Sequence, residues 1–426
     1  MPKVVFLGSA NMDTSIQLEG EFPNHGTAEC LNKVESIKRM PGGKALNQAL
    51  AFKKQFPNAE VCFVGCIGGV PKKDENGEDI IDLATGEKVL VPDESGKVLH
   101  DILTSPETNF SQVVLKMFNE VDDGKGNKIT VRTDGRIIQV DKNGQNRMTG
   151  YGDAIKQLTP QKVPELAGVL EGADMVVIQL KMPVETVRYV IDYCEKNNVK
   201  LLIDPTPLEN SKMLTDNNCE LLKKATYLSP NEEEAFALAM YAAGKDVDEV
   251  KALLLKTSPE QRVEMIKTLV RTSPNIFATM GGDGVIFSKE GKIITQDTYP
   301  TICKDSTGAG DTFNGAFAAA IMRDEDYETA LLCGLYVSAV KVRESGAQNG
   351  VQFGEVTQVE MANTERPDFV TEEIEQAMQS EVIEEIDETV VGESVPNELK
   401  TEGDVPPKVN NVMSTDDVDG DDPRVD

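Results

Sequence analysis

Residues Lys304-Asp-Ser-Thr-Gly-Ala-Gly-Asp-Thr-Phe-Asn-Gly-Ala-Phe-Ala-Ala-Ala-Ile321 join a glycine-rich turn directly to an apolar, alanine-rich segment that is typical of a buried helix. Gly308 and Gly310 allow a turn whose backbone N–H groups converge, and the helix that follows adds unpaired donors and the positive end of its dipole. Such a turn is typical of anion-binding sites. Asp311 stands at its mouth, where a carboxylate could take a proton from a hydroxyl beside a bound phosphate. The stretch indicates phosphoryl transfer to an alcohol, although the tetrapeptide Gly-Ala-Gly-Asp alone is equally typical of a tight turn with a helix cap.

The length and composition restrict the class of protein. A chain of 426 residues can form one large α/β domain with appendages, or two domains. A formal net charge of −29 argues against a nucleic-acid or anionic-membrane partner. No apolar run is long enough to span a bilayer, and Met1–Gly8 is typical of a first strand rather than a signal peptide, so we expect a cytoplasmic protein. The seven cysteines show neither metal-ligand spacing nor a disulfide framework.

Hydrophobic patterns beyond residue 173 alternate between strand and helix, which predicts a parallel sheet covered by helices. The predicted elements are strand Met175–Gln179, helix Pro183–Asn197, strand Val199–Asp204, strand Ala225–Leu228 and helix Asn231–Tyr241.

The first half of the chain carries shorter alternating segments, which predict small antiparallel strands standing off the main sheet. They cover about residues 14–40 and 128–148, and Asp134-Gly135 is predicted to be a hairpin turn between strands Lys128–Arg132 and Arg136–Asp141. Gln112–Glu120 is a candidate helix. Residues 70–108 are polar and predict an inserted surface segment with a hairpin near Lys88–Val91.

After about Val356 the apolar residues no longer recur at helix or strand spacing, which predicts a domain over residues 1–355 and a tail over residues 356–426. From Thr371 to Asp426 there are 18 Asp/Glu and 3 Lys/Arg, about half of the total net charge. This composition is typical of disorder, with a transient acidic helix conceivable over Phe369–Ile386. A solvated tail is favoured over one that occupies a basic partner surface; no partner is identified.

Three motifs carry a resemblance to a known family. Lys304–Phe313 resembles the C-terminal signature of the ribokinase-like (PfkB) carbohydrate kinases, and Pro41-Gly-Gly-Lys-Ala-Leu-Asn-Gln-Ala49 resembles their N-terminal signature in the form found in ribokinases, with Ala45 and Leu46 in place of Gly-Ala. Gly8-Ser-Ala-Asn-Met-Asp13 is similar to the first strand and turn of the same group. The resemblance implies that the sugar is bound by Asn11, Met12, Asp13, Gly43, Lys44, Asn47 and Asp311. Capping and turn formation remain the alternative roles of Asp13 and Asn47.

The turn Asn143-Gly-Gln-Asn-Arg147 is similar to one where ribokinases usually offer a glutamate to the sugar. This chain has Gln145, which can still bind hydroxyls but brings no charge. The resemblance therefore leaves the choice of sugar open at this position.

Two further motifs imply a nucleotide site. Leu228-Ser-Pro-Asn-Glu-Glu-Glu-Ala235 resembles the Asn-x-x-Glu motif of the family, in which Asn231 and Glu234 would organise the phosphates and Mg²⁺. Thr279-Met-Gly-Gly-Asp-Gly-Val285 resembles the turn to ATP, and the implied nucleotide ligands are Asn231, Glu234, Thr279, Gly281, Gly284 and Gly310. A solvated first helical turn and a plain strand-turn-strand are the respective alternatives.

Arg343-Glu-Ser-Gly-Ala-Gln-Asn-Gly350 resembles the family loop that holds a monovalent cation through backbone carbonyls. The ligands implied are Asp305, Thr307, the carbonyls of Lys341, Glu344 and Gly346, and a group at Gly350. The expected ion is K⁺.

These motifs follow the family order and are spread over Lys3–Gly350, and they imply a ribokinase-like three-layer α/β sandwich with a mostly parallel central sheet, a small β lid and an acidic, disordered tail. They imply transfer of the ATP γ-phosphoryl group to the primary hydroxyl of a sugar, with Asp311 as base and the amides of Gly308, Ala309 and Gly310 stabilising charge. Ribose is the first candidate, with a nucleoside or another sugar as the alternative. A catalytically silent sugar- or nucleotide-binding regulator is the alternative of a different class. The lid could also pair with a second subunit.

Overall fold

The buried strands assemble around β1 (Lys3–Leu7) in a computed structural model, which describes residues 1–22, 34–122, 124–142, 146–348 and 369–371. β1 pairs in parallel with β4 (Glu60–Pro71) on one side and with β11 (Met175–Gln179) on the other. The sheet continues from β11 through β12 (Lys200–Asp204) to β13 (Tyr227–Leu228), and from β4 to β6 (Gln112–Phe118), all in parallel. β5 (Leu90–Pro92) pairs antiparallel with the end of β4. The predicted parallel core sheet is confirmed.

Both faces of this sheet are covered. In β1, Val5 and Leu7 contribute to one apolar cluster and Val4 and Phe6 to the other, as expected for a strand that alternates its side chains. Helices α1 (Lys44–Gln55), α2 (Glu94–Leu103), α9 (Ala309–Met322) and α10 (Tyr327–Lys341) pack on the Phe6 face. Helices α3 (Glu165–Leu170), α4 (Val184–Asn197), α5 (Leu208–Lys224), α6 (Glu232–Ala242) and α8 (Pro259–Thr272) pack on the Leu7 face, and α7 (Val247–Leu254) packs against α6. The predicted three-layer sandwich is therefore confirmed.

A second sheet extends the core beyond β13. It contains β14 (Phe277–Thr279), β15 (Val285–Lys289) and β16 (Lys292–Gln296), all antiparallel, and meets the main sheet through the parallel bridges Leu228–Ile276 and Asn231–Thr279. β17 (Phe369–Thr371) adds to β16. The start of the predicted tail helix is thus a strand, and the rest of that helix lies outside the described residues.

The lid is a separate sheet of four strands in the order β10 (Asn146–Tyr151), β9 (Gly135–Val140), β2 (Asn11–Leu18) and β3 (Val34–Gly42). The small β lid is confirmed, but the predicted hairpin at Asp134-Gly135 is wrong. β9 runs parallel to β2 and pairs antiparallel with β10, whereas β8 (Lys128–Thr130) pairs with β7 (Glu120–Asp122). A Cβ atom on Gly135 would overlap the carbonyl oxygen of Met12, so this glycine allows close approach of two strands rather than a tight turn.

Two other predictions for the first half are wrong. Gln112–Glu120 forms strand β6 rather than a helix, because its apolar side chains pack on both faces of the sheet and so lack an alternating pattern. The surface insertion is shorter than residues 70–108: β5 pairs with β4, and α2 buries Leu99 and Leu103 completely. Helix α5 has no counterpart in the sequence prediction. Among the described helices, none has the length and apolar composition needed to cross a membrane.

Candidate active site

A cavity of about 480 Å³ opens beside the carboxyl ends of the core strands and below the lid. Asp13 and Asp311, which are 298 positions apart in the chain, both line it. The other predicted residues on its wall are Gly43, Lys44, Asn47, Asn231, Glu234, Thr279, Gly281, Thr307, Gly308, Ala309 and Gly310. The structure thus brings residues from the sugar, nucleotide and glycine-turn motifs to one site, as ligand sites in open α/β sheets are built.

Two adjacent glycines determine how the N-terminal motifs meet. Gly43 has a φ of 100°, and a Cβ atom there would lie 2.5 Å from the carbonyl oxygen of Ser9 and 2.8 Å from the amide nitrogen of Asn11. A Cβ atom on Gly42 would lie 2.6 Å from Asp13 Oδ2. The start of α1 can therefore sit directly on the turn between β1 and β2, which brings Lys44 and Asn47 to the same wall as Asp13.

Asp311 is buried in the first turn of α9 and is held by side chains of α1. Asn47 Nδ2 donates to its Oδ2 at 2.8 Å, and Gln48 Nε2 donates to its Oδ1 at 3.2 Å. Burial raises the pKa of Asp311 above the ordinary range of a carboxyl group, and the ammonium of Lys44 acts in the opposite direction. A base with a raised pKa that is fixed in orientation is suited to accept a proton from a hydroxyl.

The turn before Asp311 presents unpaired amides. Gly308 adopts a φ of 78°, and a Cβ atom there would lie 2.8 Å from the carbonyl oxygen of Ala347. The amide of Ala309 donates to the carbonyl oxygen of Ser306 at 3.0 Å. Within the described part of the chain, the amides of Gly308, Gly310 and Asp311 have no hydrogen-bond partner. An anion at this helix start can therefore bind these three amides, whereas the amide of Ala309 is already used.

Sequence reasoning missed Asp204, which lies at the end of β12 and lines the cavity. Lys44 Nζ donates to both of its carboxylate oxygens, at 3.1 and 2.9 Å, and Gln48 Nε2 donates to Oδ2 at 2.9 Å. Burial alone would lower the pKa of Lys44, but Asp204 and Asp311 raise it well above its usual range. Lys44 therefore stays charged and balances two buried carboxylates. The available signal was position, since Asp204 directly follows the buried run Leu201–Ile203 at the edge of the sheet where ligands bind.

Asn231 and Glu234 serve as a helix cap and line the cavity at the same time. The Asn231 side chain accepts the Glu234 amide at 2.9 Å, and Glu234 Oε2 accepts the Asn231 amide at 3.0 Å. Thr206 donates its hydroxyl to Glu234 Oε1. Burial, and then repulsion by Asp204, raise the pKa of Glu234. Although the described residues contain no cluster of three acidic, His or Cys ligands, these oxygen donors fit a Mg²⁺ ion that is bound mainly by phosphates and water.

The second nucleotide motif is only partly at the cavity. Thr279 and Gly281 lie on its wall together with Met280. Gly284 does not: it has a φ of 85°, and a Cβ atom there would overlap the carbonyl oxygen of Gln296. Gly284 is thus required by the turn against β16 and not by a bound phosphate.

Some residues predicted to bind the sugar lie elsewhere. Met12 is buried, and its carbonyl oxygen accepts the hydroxyl of Tyr151 at 3.2 Å. Asn11 lines a smaller cavity next to the main one. Gln145 and Gly350 lie outside the described residues.

The loop expected to bind a monovalent cation contains an ammonium group instead. Lys341 is fully buried at the end of α10, and its Nζ donates to the carbonyl oxygen of Asp305 at 2.9 Å. The carbonyl of Lys341 accepts the amide of Glu344 at 3.1 Å, and the Asp305 carboxylate accepts the amides of Thr307 and Gly346 at 2.9 and 2.7 Å. Several of the expected ligands therefore already have hydrogen-bond partners, and one of these partners is the positively charged Lys341 ammonium. Because that ammonium would repel a second cation, these residues do not fit K⁺.

Comparisons with known proteins point to one family and one fold. The model of the pfkB family carbohydrate kinases matches residues 1–91 and 128–353. A ribokinase from Lactococcus lactis is 27% identical over 352 residues, which cover 82% of this chain and 94% of the relative. The ribokinase structure from Thermotoga maritima has a TM-score of 0.61 at 24% identity, covering 85% of this chain and all of the other. The Arabidopsis thaliana ribokinase complexed with ribose and ATP has a TM-score of 0.58 at 21% identity, covering 84% and 98%.

Proposed function

Because the chain belongs to the pfkB family of carbohydrate kinases and is a phosphotransferase with an alcohol group as acceptor, we propose that it phosphorylates the primary 5-hydroxyl of a pentose with ATP. D-Ribose, which would give ribose 5-phosphate, is the acceptor indicated by the names of the relatives. The observation that carries the proposal is the shared cavity of Asp13 and Asp311, with unpaired amides beside Asp311.

The acceptor is bound between the lid and α1. Asp13 Oδ1 is buried and has no hydrogen-bond partner among the described residues, so it is available to a sugar hydroxyl. Asn47 and Gly43 lie on the same wall. Asp311 takes the proton of the primary hydroxyl as the oxygen attacks phosphorus, while Asn47 and Gln48 keep the carboxylate oriented.

The nucleotide phosphates lie against the turn before α9. The amides of Gly308, Gly310 and Asp311 stabilise the charge that develops on the transferred group. Asn231, Glu234, Thr279 and Gly281 line the nucleotide side of the cavity. Mg²⁺ held near Asn231 and Glu234 would neutralise phosphate charge. K⁺ is not part of the proposal, because Lys341 already places a cation at Asp305.

The proposed kinase domain comprises residues 1–355 together with β17, which pairs with β16, and residues 376–426 are an appendage. The lid strands β2, β3, β9 and β10 would exclude water from the acceptor. Ile37 and Met148 are exposed on this lid, at 62% and 59%, which supports pairing of the lid with a second copy.

The test is ATP consumption by the purified full-length chain with D-ribose, 2-deoxy-D-ribose, D-fructose, adenosine and inosine, followed by mass spectrometry of the product. Formation of a pentose 5-phosphate supports the proposal. Turnover restricted to nucleosides would overturn the pentose assignment. Binding of ATP without turnover of any acceptor would overturn it in favour of a silent regulator.

A further inference from the structure

A second cavity of about 200 Å³ adjoins the main one, and Arg136 of β9 lines both. The wall of this smaller cavity also includes Ser9, Asn11, Asp134 and Lys181. Asn11 is two residues before Asp13 on β2, so the two side chains lie on the same face of the strand and the two cavities lie side by side. One small molecule can therefore extend from Asp311 past Arg136 into the smaller cavity.

Among the described residues, no carboxylate lies within ion-pair distance of two cations in this cavity. Arg136 and Lys181 are both half-buried, and neither has an ion pair or a side-chain hydrogen bond with any residue that the structure describes. Burial, together with repulsion from Arg136 and Lys44, outweighs the attraction of Asp311 and Asp204 and lowers the pKa of Lys181 to about 8. Two such charges side by side are unfavourable unless a ligand supplies negative charge.

The nearby carboxylates attract these two cations but form no ion pair with either of them. Asp13 pairs in register with Arg136 along β2 and β9, and Asp134 lines the cavity. Burial raises the pKa of Asp13 even though Arg136 and Lys181 act to lower it, and burial raises the pKa of Asp134 to about 6. Asp134 Oδ2 accepts the amide of Ile155 at 2.8 Å, which fixes it in a structural role.

The cavity also contains unused acceptors. Asn11 Oδ1 and Ser9 Oγ are buried without a hydrogen-bond partner among the described residues, and the two side chains are 4% and 2% exposed. A ligand hydroxyl would satisfy each of them. The wall therefore matches a polyol that carries an anionic group at one end.

We propose that the preferred acceptor is a sugar derivative whose anionic group, a carboxylate or a phosphate, binds between Arg136 and Lys181 while its primary hydroxyl reaches Asp311. This inference rests on the proposed function and refines its substrate from a neutral pentose to an anionic one. The anionic group remains unchanged in the reaction: the hydroxyl oxygen forms the new bond to phosphorus, ADP leaves, and Asp311 takes the proton. Arg136 supplies a planar, fork-shaped donor and Lys181 a point charge, which together suit either oxyanion.

Three matched acceptors test the proposal. D-Ribose, D-ribonate and α-D-ribose 1-phosphate share the 5-hydroxyl and differ at C1. This carbon is uncharged in ribose, is the carboxylate carbon in ribonate and carries a phosphate ester in ribose 1-phosphate. We expect kcat/KM for at least one anionic acceptor to exceed that for D-ribose by about 10- to 100-fold, the range of charge-assisted hydrogen bonds. Preference for ribonate would identify the carboxylate, and preference for ribose 1-phosphate the phosphate. A kcat/KM for D-ribose that equals or exceeds both would overturn the inference.

Variants locate the effect. Arg136→Gln and Lys181→Gln are each expected to reduce the ratio of anionic to neutral kcat/KM by about tenfold or more. Lys38→Gln removes an exposed lysine from β3 of the same lid and is expected to leave the ratio unchanged. Equal ratios in all four proteins would overturn the inference.

A binding measurement separates failure of the site from failure of the enzyme assignment. Without ATP, D-ribonate or ribose 1-phosphate is expected to raise the melting temperature of the wild-type chain, and to raise it less in the Arg136 and Lys181 variants. If no acceptor is phosphorylated but this pattern holds, the kinase proposal fails and the anion site stands. If ribose is phosphorylated and neither anion binds, the kinase proposal stands and the anion site fails.

Discussion

At the scale of single residues, the side-chain amides of Asn47 and Gln48 hold the Asp311 carboxylate in place. Asn47 and Gln48 donate to separate oxygens of the carboxylate, so replacement by asparagine keeps the shape of the side chain and removes the base. We expect Asp311→Asn to lower kcat by about 10³-fold, within the range for a positioned base, and to retain binding of ATP and the acceptor. Steady-state kinetics and calorimetric titration measure the two effects.

The pH profile follows from the same residue. Since burial raises the pKa of Asp311, the reactive carboxylate is lost as the pH falls through this raised value, and kcat/KM should fall on the acid side at a higher pH than for an exposed aspartate. Asp326→Asn, at the start of α10 and outside the cavity, is the matched control and should retain kcat and the wild-type profile. Undiminished turnover in Asp311→Asn would remove the base assignment.

Residue identity could be predicted where a side chain belongs to a contiguous motif. Asp13, Lys44, Asn231 and Asp311 were found in this way. Asp204 was not found, because its partner Lys44 lies 160 positions away and the pair becomes visible only when β12 and α1 meet. Gly284 shows the opposite error: a glycine in a nucleotide-like motif is explained by contact with Gln296.

At the scale of secondary-structure elements, the end of α10 carries a prediction about K⁺. Because the ammonium of Lys341 already donates to the Asp305 carbonyl, we expect kcat/KM to change by less than about twofold when K⁺ is replaced by N-methylglucamine, since a preformed cation needs no partner from solution. The melting temperature should likewise be the same in the two salts. Kinetics and thermal unfolding at equal ionic strength provide the measurements.

Two variants complete this test. Lys341→Met keeps the length of the side chain and removes the charge, so we expect its activity to fall and to recover partly with K⁺. Lys304→Met changes an exposed lysine near the same loop and should behave like the wild type. A strong dependence of the wild-type enzyme on K⁺ would contradict the assigned role of Lys341.

The insertion between β4 and β5 should be dispensable. Pro71 and Leu90 are paired antiparallel neighbours, so residues 72–89 form an excursion that could be replaced by an Asn-Gly turn. We expect this deletion to change the free energy of unfolding by less than about 1 kcal/mol, because exposed loops contribute little packing. Urea unfolding and kcat/KM measure the outcome.

A longer deletion provides the comparison. Removal of residues 72–103 also eliminates α2, whose Leu99 and Leu103 are fully buried, and should prevent stable folding. If the short deletion were as damaging as the long one, the insertion would be part of the core.

The type of an element, helix or strand, could be predicted where the apolar residues follow a single spacing along the sequence. The βαβ units after residue 173 carry clear strand and helix patterns, and the structure confirms them. The sequence pattern of β6 resembles a helix because half-buried apolar side chains occupy both of its faces, which hides the two-residue period. The pairing of β9 with β2 could not be predicted, because it depends on a contact between Gly135 and Met12.

At the scale of the whole molecule, charge is unevenly distributed along the chain. Residues 376–426 contain 15 Asp/Glu and 3 Lys/Arg, and one compact unit spans Met1–Glu375. Every residue that lines the main cavity belongs to this unit. These properties predict that catalysis belongs to the first unit.

Truncation tests this division, and β17 determines where the cut should be made. We expect a chain that ends at Glu375 to retain kcat and the KM for ATP within about twofold of the values of the 426-residue chain, because the whole wall of the main cavity belongs to the first unit. A chain that ends at Pro367 also loses β17, which pairs with Ile294–Gln296, and should melt about 2–4 °C lower while keeping its kcat per folded molecule. Kinetics and thermal unfolding of the three chains distinguish the two effects. Loss of turnover in the chain that ends at Glu375 would instead place residues 376–426 within the working enzyme.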